Sequence, residues 1–207
     1  MTVQFDRAKF LDTVHYVVAQ CPSDQLGGVK LHKVLYFADM LHFAFEGRPL
    51  TGATYRKRRL GPTADYLLPA LRQLKADGRI NVSDAQYFGY RKWHFESLRA
   101  PDESRLNDAD KALLGEVIEF VCKNNTAKTI SDFSHNRAWE LAAFGQPIPY
   151  HSAFHMFPSE VSDDAFEWAE QEMKRIEAAG PEQPDVAGRS FSAFRARVLK
   201  ERGEHPG

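Results

Sequence analysis

The chain of 207 residues is 43% hydrophobic and 27% charged, a balance that excludes a disordered protein and suits one domain with a real core and at most a tail. Lys and Arg total 27 against 28 for Asp and Glu, so the net charge of -1 provides no global field toward nucleic acid or an anionic membrane, and such binding would need a local patch. Cys21 and Cys122 are too few for a disulfide framework and lack the second pair of a zinc site, which predicts buried free thiols. The start MTVQFDRAKFLDTV lacks the features of a secretion signal, and no run approaches the ~20 apolar residues of a membrane span, so a cytoplasmic protein with no membrane partner is expected.

Along the chain, Phe10, Leu11, Val14, Val17 and Val18 line one face of a first helix that Cys21-Pro22 ends. The segment GGVKLHKVLYFADMLHFAFEG predicts a second helix, apolar around most of its circumference from Val34 to Phe45. It leaves a narrow stripe containing His32, Asp39 and Glu46, so it should run through the middle of the domain and stop at Gly47. RPLTGATYRKRRL reads as a loop with a short extended piece. In GPTADYLLPALRQLKADG, Pro62 suits the first turn of a helix, with Leu67, Leu68, Leu71 and Leu74 inward and Gly78 closing it, while Pro69 marks a kink or a later start.

After Gly78 the aromatic-rich RINVSDAQYFGYRKWHFESL, with Gly89 between two candidate strands, predicts a hairpin, and a helix followed by a hairpin outlines a winged-helix unit. Asn107 is the predicted N-cap of the next helix, with Asp108 and Asp110 in its first turn and Leu113, Leu114, Val117, Ile118 and Val121 inward. Two short helical turns around Trp139, a proline-punctuated loop and a last helix from Ser162 to Gly180-Pro181 follow. The predicted class is mainly α with a small β-hairpin (α+β), a compact helical domain over residues 1–180, with a linker and basic tail over 181–207. From Arg189 to Arg202 the tail has five basic residues and one acidic, with Phe191, Phe194, Val198 and Leu199 spaced for one helical face. Such a helix is too short to be stable alone, ~12–15 residues being marginal, and would pack on its own domain or fold onto a partner.

His151 and His155 have a spacing that suits zinc on a helix, but Pro149 and Pro158 bracket them and no Glu lies between to serve as base, so no metal is predicted. His135 in DFSHNRAW reads as a buried, hydrogen-bonded residue near Trp139 in preference to a group that polarises a substrate. There is no nucleophile elbow, P-loop or Rossmann glycine pattern, and Gly27-Gly28 reads as a turn; no enzyme activity, catalytic residue or cofactor is predicted.

TYRKRRLGPTADYL places Arg56, Lys57, Arg58 and Arg59 before Gly61-Pro62. In an extended segment Arg56 and Arg58 share one side and Tyr55, Lys57 and Arg59 the other, so only part of the run can form one patch. Four readings stay open: a nucleic-acid grip, an anion site reinforced by a helix start at Pro62, a rim for an acidic protein partner, and a solvated edge strand whose charges prevent pairing. With no global positive charge, the protein rim is preferred to the nucleic-acid grip.

VKLHKVLYFAD, the Gly61-Pro62 of RRLGPTADYLLPAL, and TISDFSHNRAW together resemble the Panacea domain, the SocA-like antitoxin domain of bacterial and phage toxin–antitoxin systems, over about residues 8–150. The residues that carry the resemblance are Lys30, Leu31, Lys33, Leu35, Tyr36 and Phe37, with Gly61, Pro62, His135 and Trp139. It implies a mainly helical domain that neutralises a cognate toxin encoded next to it, by direct binding and without catalysis. In the founding member the antitoxin is an adaptor that delivers the toxin to the ClpXP protease, so a ClpXP-type protease is the alternative partner. A winged-helix-like DNA-binding regulator is a further alternative, with DNA bound only weakly or by the toxin complex. The motif residues are expected to be mostly architectural, with Lys30 and Lys33 reaching the helix at Gly61-Pro62 or its carboxylate neighbours. Arg56 to Arg59 and the tail, with Phe191, Phe194 and Arg195, lie outside the family pattern and are where partner specificity is expected.

Overall fold

The computed structural model describes residues 3–87, 90–156, 171, 174 and 175. The chain divides into two units, Met1–Pro158 and Ser159–Gly207. In the second unit Gln171, Lys174 and Arg175 are helical and exposed. The rest of the helix predicted from Ser162, the expected boundary at 180, and Phe191, Phe194 and Arg195 lie outside the described residues.

In the first unit, α1 (Arg7–Gln20) is capped by the Asp6 carboxylate, which accepts from the Lys9 amide, and it buries the predicted stripe Phe10, Leu11, Val14, Val17 and Val18. Cys21 ends it in an extended conformation. The central helix α2 (Gly28–Glu46) carries Leu31, Val34, Leu35, Tyr36 and Met40, each at most 1% exposed, and stops at Gly47 with φ of 70°. Its stripe differs from the expectation. Asp39 is 1% exposed, because the chain beyond Gly47 folds back over it and supplies hydrogen-bond donors in place of water.

The returning chain forms β1 (Tyr55–Arg56), which pairs antiparallel with β2 (Thr63–Ala64). The other side of β1 is also occupied: Ile148 N donates to Tyr55 O at 2.7 Å and Lys57 N to Gln146 O at 3.0 Å. The basic run therefore does not follow an unpaired edge strand. The predicted helix start at Pro62 is also corrected, since Pro62 leads into β2 and α3 spans Leu67–Ala76. Pro69 is the proline of the first helical turn, where its missing N–H costs no intrahelical bond. Leu67, Leu71 and Leu74 are buried, whereas Leu68 is 47% exposed because it lies about 100° around the helix from Leu67.

The hairpin consists of β3 (Ile80–Tyr87) and β4 (Tyr90–Ser97), in register from Ile80 with Ser97 to Tyr87 with Tyr90. Helix α4 (Asp108–Ile118) begins with a reciprocal capping box between Asn107 and Asp110 and continues as a π-helical turn, Glu119–Lys123. Two short helices follow, α5 (Ala127–Phe133) and α6 (Arg137–Leu141). The stretch read as a loop contains a 3-10 helix, Tyr150–Met156. At three residues per turn, His151 and His155 do not share a face there. Helix α2 touches α1, α4, α5, β2 and the 3-10 helix, so it occupies the centre of the unit, as its all-round apolarity predicted. The class is mainly α with a small hairpin. Cys21 and Cys122 are buried and free, as predicted. Among the described residues no helix is long and apolar enough to cross a membrane.

Candidate functional site

Two lysines near the start of α2 are buried, Lys30 at 9% and Lys33 at 1% exposed, although the helix period alone marks them only as polar. Their ammonium groups are tied to carbonyls in two different segments. Lys30 Nζ donates to the Cys122 carbonyl at 2.8 Å, in the last turn of the π-helical segment, where carbonyls lack helical partners and the helix dipole favours a cation. Lys33 Nζ donates to the Pro62 carbonyl at 2.9 Å. The expected reach of these lysines toward Gly61-Pro62 thus holds for Lys33 only, and its target is a carbonyl in a loop.

Gly61 is fixed by the same contact. Its φ of 88° is open to glycine alone at little cost, and a Cβ there would fall on Ser134 Oγ and 2.5 Å from Lys33 Nζ. Its amide donates to Arg58 O at 2.9 Å, which closes Arg58-Arg59-Leu60-Gly61 into a tight turn. Burial brings the Lys33 ammonium down to about 7, and burial followed by the nearby Lys33 charge brings His32 down to about 4. His32 Nδ1 accepts from the Ala64 amide at 3.1 Å, so this ring is a neutral brace between α2 and β2.

The basic run separates residue by residue. Tyr55 points into the core, 1% exposed, with its hydroxyl 2.6 Å from Asp39 Oδ2 and 2.8 Å from Leu35 O. Arg56 binds Asp65 through Nε at 2.7 Å and Gly145 O at 3.2 Å. Lys57 lies 4.0 Å from the ring centroid of Trp139. Arg58 and Arg59 are exposed on the tight turn. Of the four cations, then, two are engaged within the fold and two face outward.

His135 stacks on Trp139 with centroids 4.1 Å apart and planes at 23°. Burial, then the Lys33 charge, lowers its pKa, so the imidazole is neutral near neutrality. Its Nε2 and the Trp139 indole Nε1 are buried without a hydrogen-bond partner among the described residues. His135 is half-buried where a buried residue was expected, although it packs on Trp139 as predicted. Tyr36 is fully buried, edge-on to Phe37 and Tyr55, with its hydroxyl held far above its ordinary range by burial.

Lys33, Gly61, Pro62 and His135, together with Trp139 stacked on His135, therefore meet in one scaffold although they come from α2, the β1–β2 turn and the α5–α6 junction. Lys30 and Leu31 serve the same helix from its other sides. Sequence reasoning placed Asp39 on the polar stripe and missed its buried role: it accepts from Thr51 N and Thr51 Oγ1 at 2.6 Å each and from Gly52 N at 3.2 Å, and so fixes the approach to β1. Burial raises its pKa against those hydrogen bonds. The signal was present as a lone carboxylate inside the most apolar helix.

Fold and site define a mainly helical domain in which motif residues from distant segments build one scaffold beneath an outward basic turn. The model of the family described as antitoxin SocA-like, Panacea domain, matches residues 31–140, more than half of the chain. The chain belongs to that family of antitoxins of toxin–antitoxin systems. The match includes every motif residue from Leu31 to Trp139 and begins one residue after Lys30. Searches of curated proteins and of solved structures found no match.

Proposed function

We propose that this protein neutralises a toxin encoded beside it by direct protein–protein binding, with no catalysis of its own. The observation that carries the reading is the division of labour in the site. The motif residues Lys33, Gly61 and Pro62 are turned inward and hold a scaffold, while Arg58 and Arg59 are exposed on the turn that this scaffold fixes. A rigid turn presenting two guanidinium groups suits recognition of carboxylates on a protein partner, since Arg binds them bidentately and a fixed turn loses little entropy on binding.

The test is co-expression with the adjacent gene. Growth arrest caused by that gene alone should be relieved when this protein is present, and the two chains should co-purify. A harmless neighbour, or a toxic one that is neither relieved nor retained, would remove the antitoxin reading.

A further inference from the structure

The turn that carries Arg58 and Arg59 borders a cavity of about 1220 Å³ lined by the first turn of α2, the π-helical segment, Trp93 of β4 and Phe144. This exceeds the ~300–1,000 Å³ of ordinary small-molecule pockets and leaves room for a stretch of polypeptide. Its lining is strongly biased in charge: Lys30, Lys33, Arg58, Arg59 and Lys123 face it against a single carboxylate, Asp24. Lys33 is almost wholly buried, and its one acceptor among the described residues is the neutral Pro62 carbonyl. The exposed cations of this lining are therefore Arg58, Arg59 and Lys123.

The walls add apolar anchors. The Trp93 ring lies against Gly28, where a Cβ would come within 3.1 Å of it, and Leu60 and Phe144 are 50% and 67% exposed. Exposed aromatic faces next to guanidinium groups are the residue types on which protein interfaces concentrate their binding energy. The α2 N-cap, Gly27, has no side chain to bind the first amides, so the positive end of a 19-residue helix adds to the same field.

We propose that this cavity receives an acidic segment of the toxin, whose carboxylates meet Arg58, Arg59 and Lys123 while one of its apolar side chains packs on Trp93 or Phe144. This rests on the antitoxin reading and assigns the chemistry of the segment recognised. Size, apolar walls and the absence of a global positive charge favour an acidic peptide over a nucleotide or DNA.

The experiment uses the full chain and four probes: a fluorescent peptide of alternating glutamate and leucine, its glutamine counterpart, ATP, and a short DNA duplex. The acidic peptide is expected to bind about tenfold or more tightly than the glutamine peptide. It should lose a similar factor in the Arg58→Glu/Arg59→Glu and Lys123→Glu variants, whose residues are exposed and whose melting temperatures should match the parent. Equal binding of the two peptides, no binding of either, or tighter binding of ATP or DNA that the acidic peptide does not displace would overturn the assignment. If that happens while the toxin still co-purifies with the Arg58→Glu/Arg59→Glu variant, the pocket fails and the antitoxin reading stands. If the acidic peptide binds as expected and no toxin is retained, the pocket stands and the antitoxin reading fails.

Discussion

Lys33 and Gly61 show how one contact fixes an exposed turn. The ammonium and the Ser134 hydroxyl fill the space a Cβ at Gly61 would take, so Gly61→Ala combines a left-handed strain with a steric clash. It should cost about 2–4 kcal/mol in denaturant unfolding. Gly47→Ala provides the comparison, because its φ is 70° but no atom lies within 4 Å of the added methyl, and it should cost only about 1 kcal/mol. Equal costs at the two positions would contradict the packing described. Lys33 also sets a pH dependence. Its folded pKa is about 7, whereas an unfolded lysine titrates near ~10.4, so between these values the unfolded chain binds more protons and stability rises with pH. Replacing it by Met should remove a rise of up to about 1.4 kcal/mol per pH unit, seen as a flatter stability curve from about pH 7 to 9. Parallel curves for parent and variant would contradict a desolvated lysine. Neither buried lysine was legible from hydropathy, since in a helical period a Lys reads as surface. The family likeness singled them out, and only packing shows that they are inside.

Among the elements, the strongly periodic ones were the most legible. The stripe of α1, the all-round apolarity of α2 and the Asn107 cap of α4 each follow from local rules, and the structure carries all three. The start of α3 did not follow, because Pro62 and Pro69 both satisfy the rule for a first-turn proline. Tertiary contacts decide between them: Pro62 O is claimed by Lys33, and Thr63–Ala64 pair with β1. The resulting phase of α3 has a direct consequence. Leu71→Ala, at a position 5% exposed, should cost about 2–4 kcal/mol, and Leu68→Asp, at 47% exposed, should stay within about 0.5 kcal/mol. Comparable losses would contradict the burial of Leu71 and the exposure of Leu68. The candidate site was legible in part. The motif named its inner residues, but the separation of Arg56 and Lys57 from Arg58 and Arg59 depends on Asp65, Trp139 and the Arg58–Gly61 turn, which no sequence spacing reveals.

At the scale of the whole molecule, the family match and the scaffold concentrate in residues 31–140, while the basic tail lies beyond them. If the proposed binding function resides in the matched region, binding and any role in delivery are separable. Deletion of residues 181–207 should leave toxin binding unchanged, and if the protein also acts as an adaptor to a ClpXP-type protease, toxin turnover followed by immunoblot should slow in the truncated form. Loss of toxin binding on truncation would move recognition from the scaffold to the tail. The most direct test of neutralisation adds purified full-length protein to the purified product of the adjacent gene, with no protease present, and follows the toxin's own activity. Direct neutralisation predicts that activity falls to background as the protein approaches saturation, with the Arg58→Glu/Arg59→Glu variant needing about tenfold more. Undiminished activity at saturating concentrations of the parent protein would contradict it.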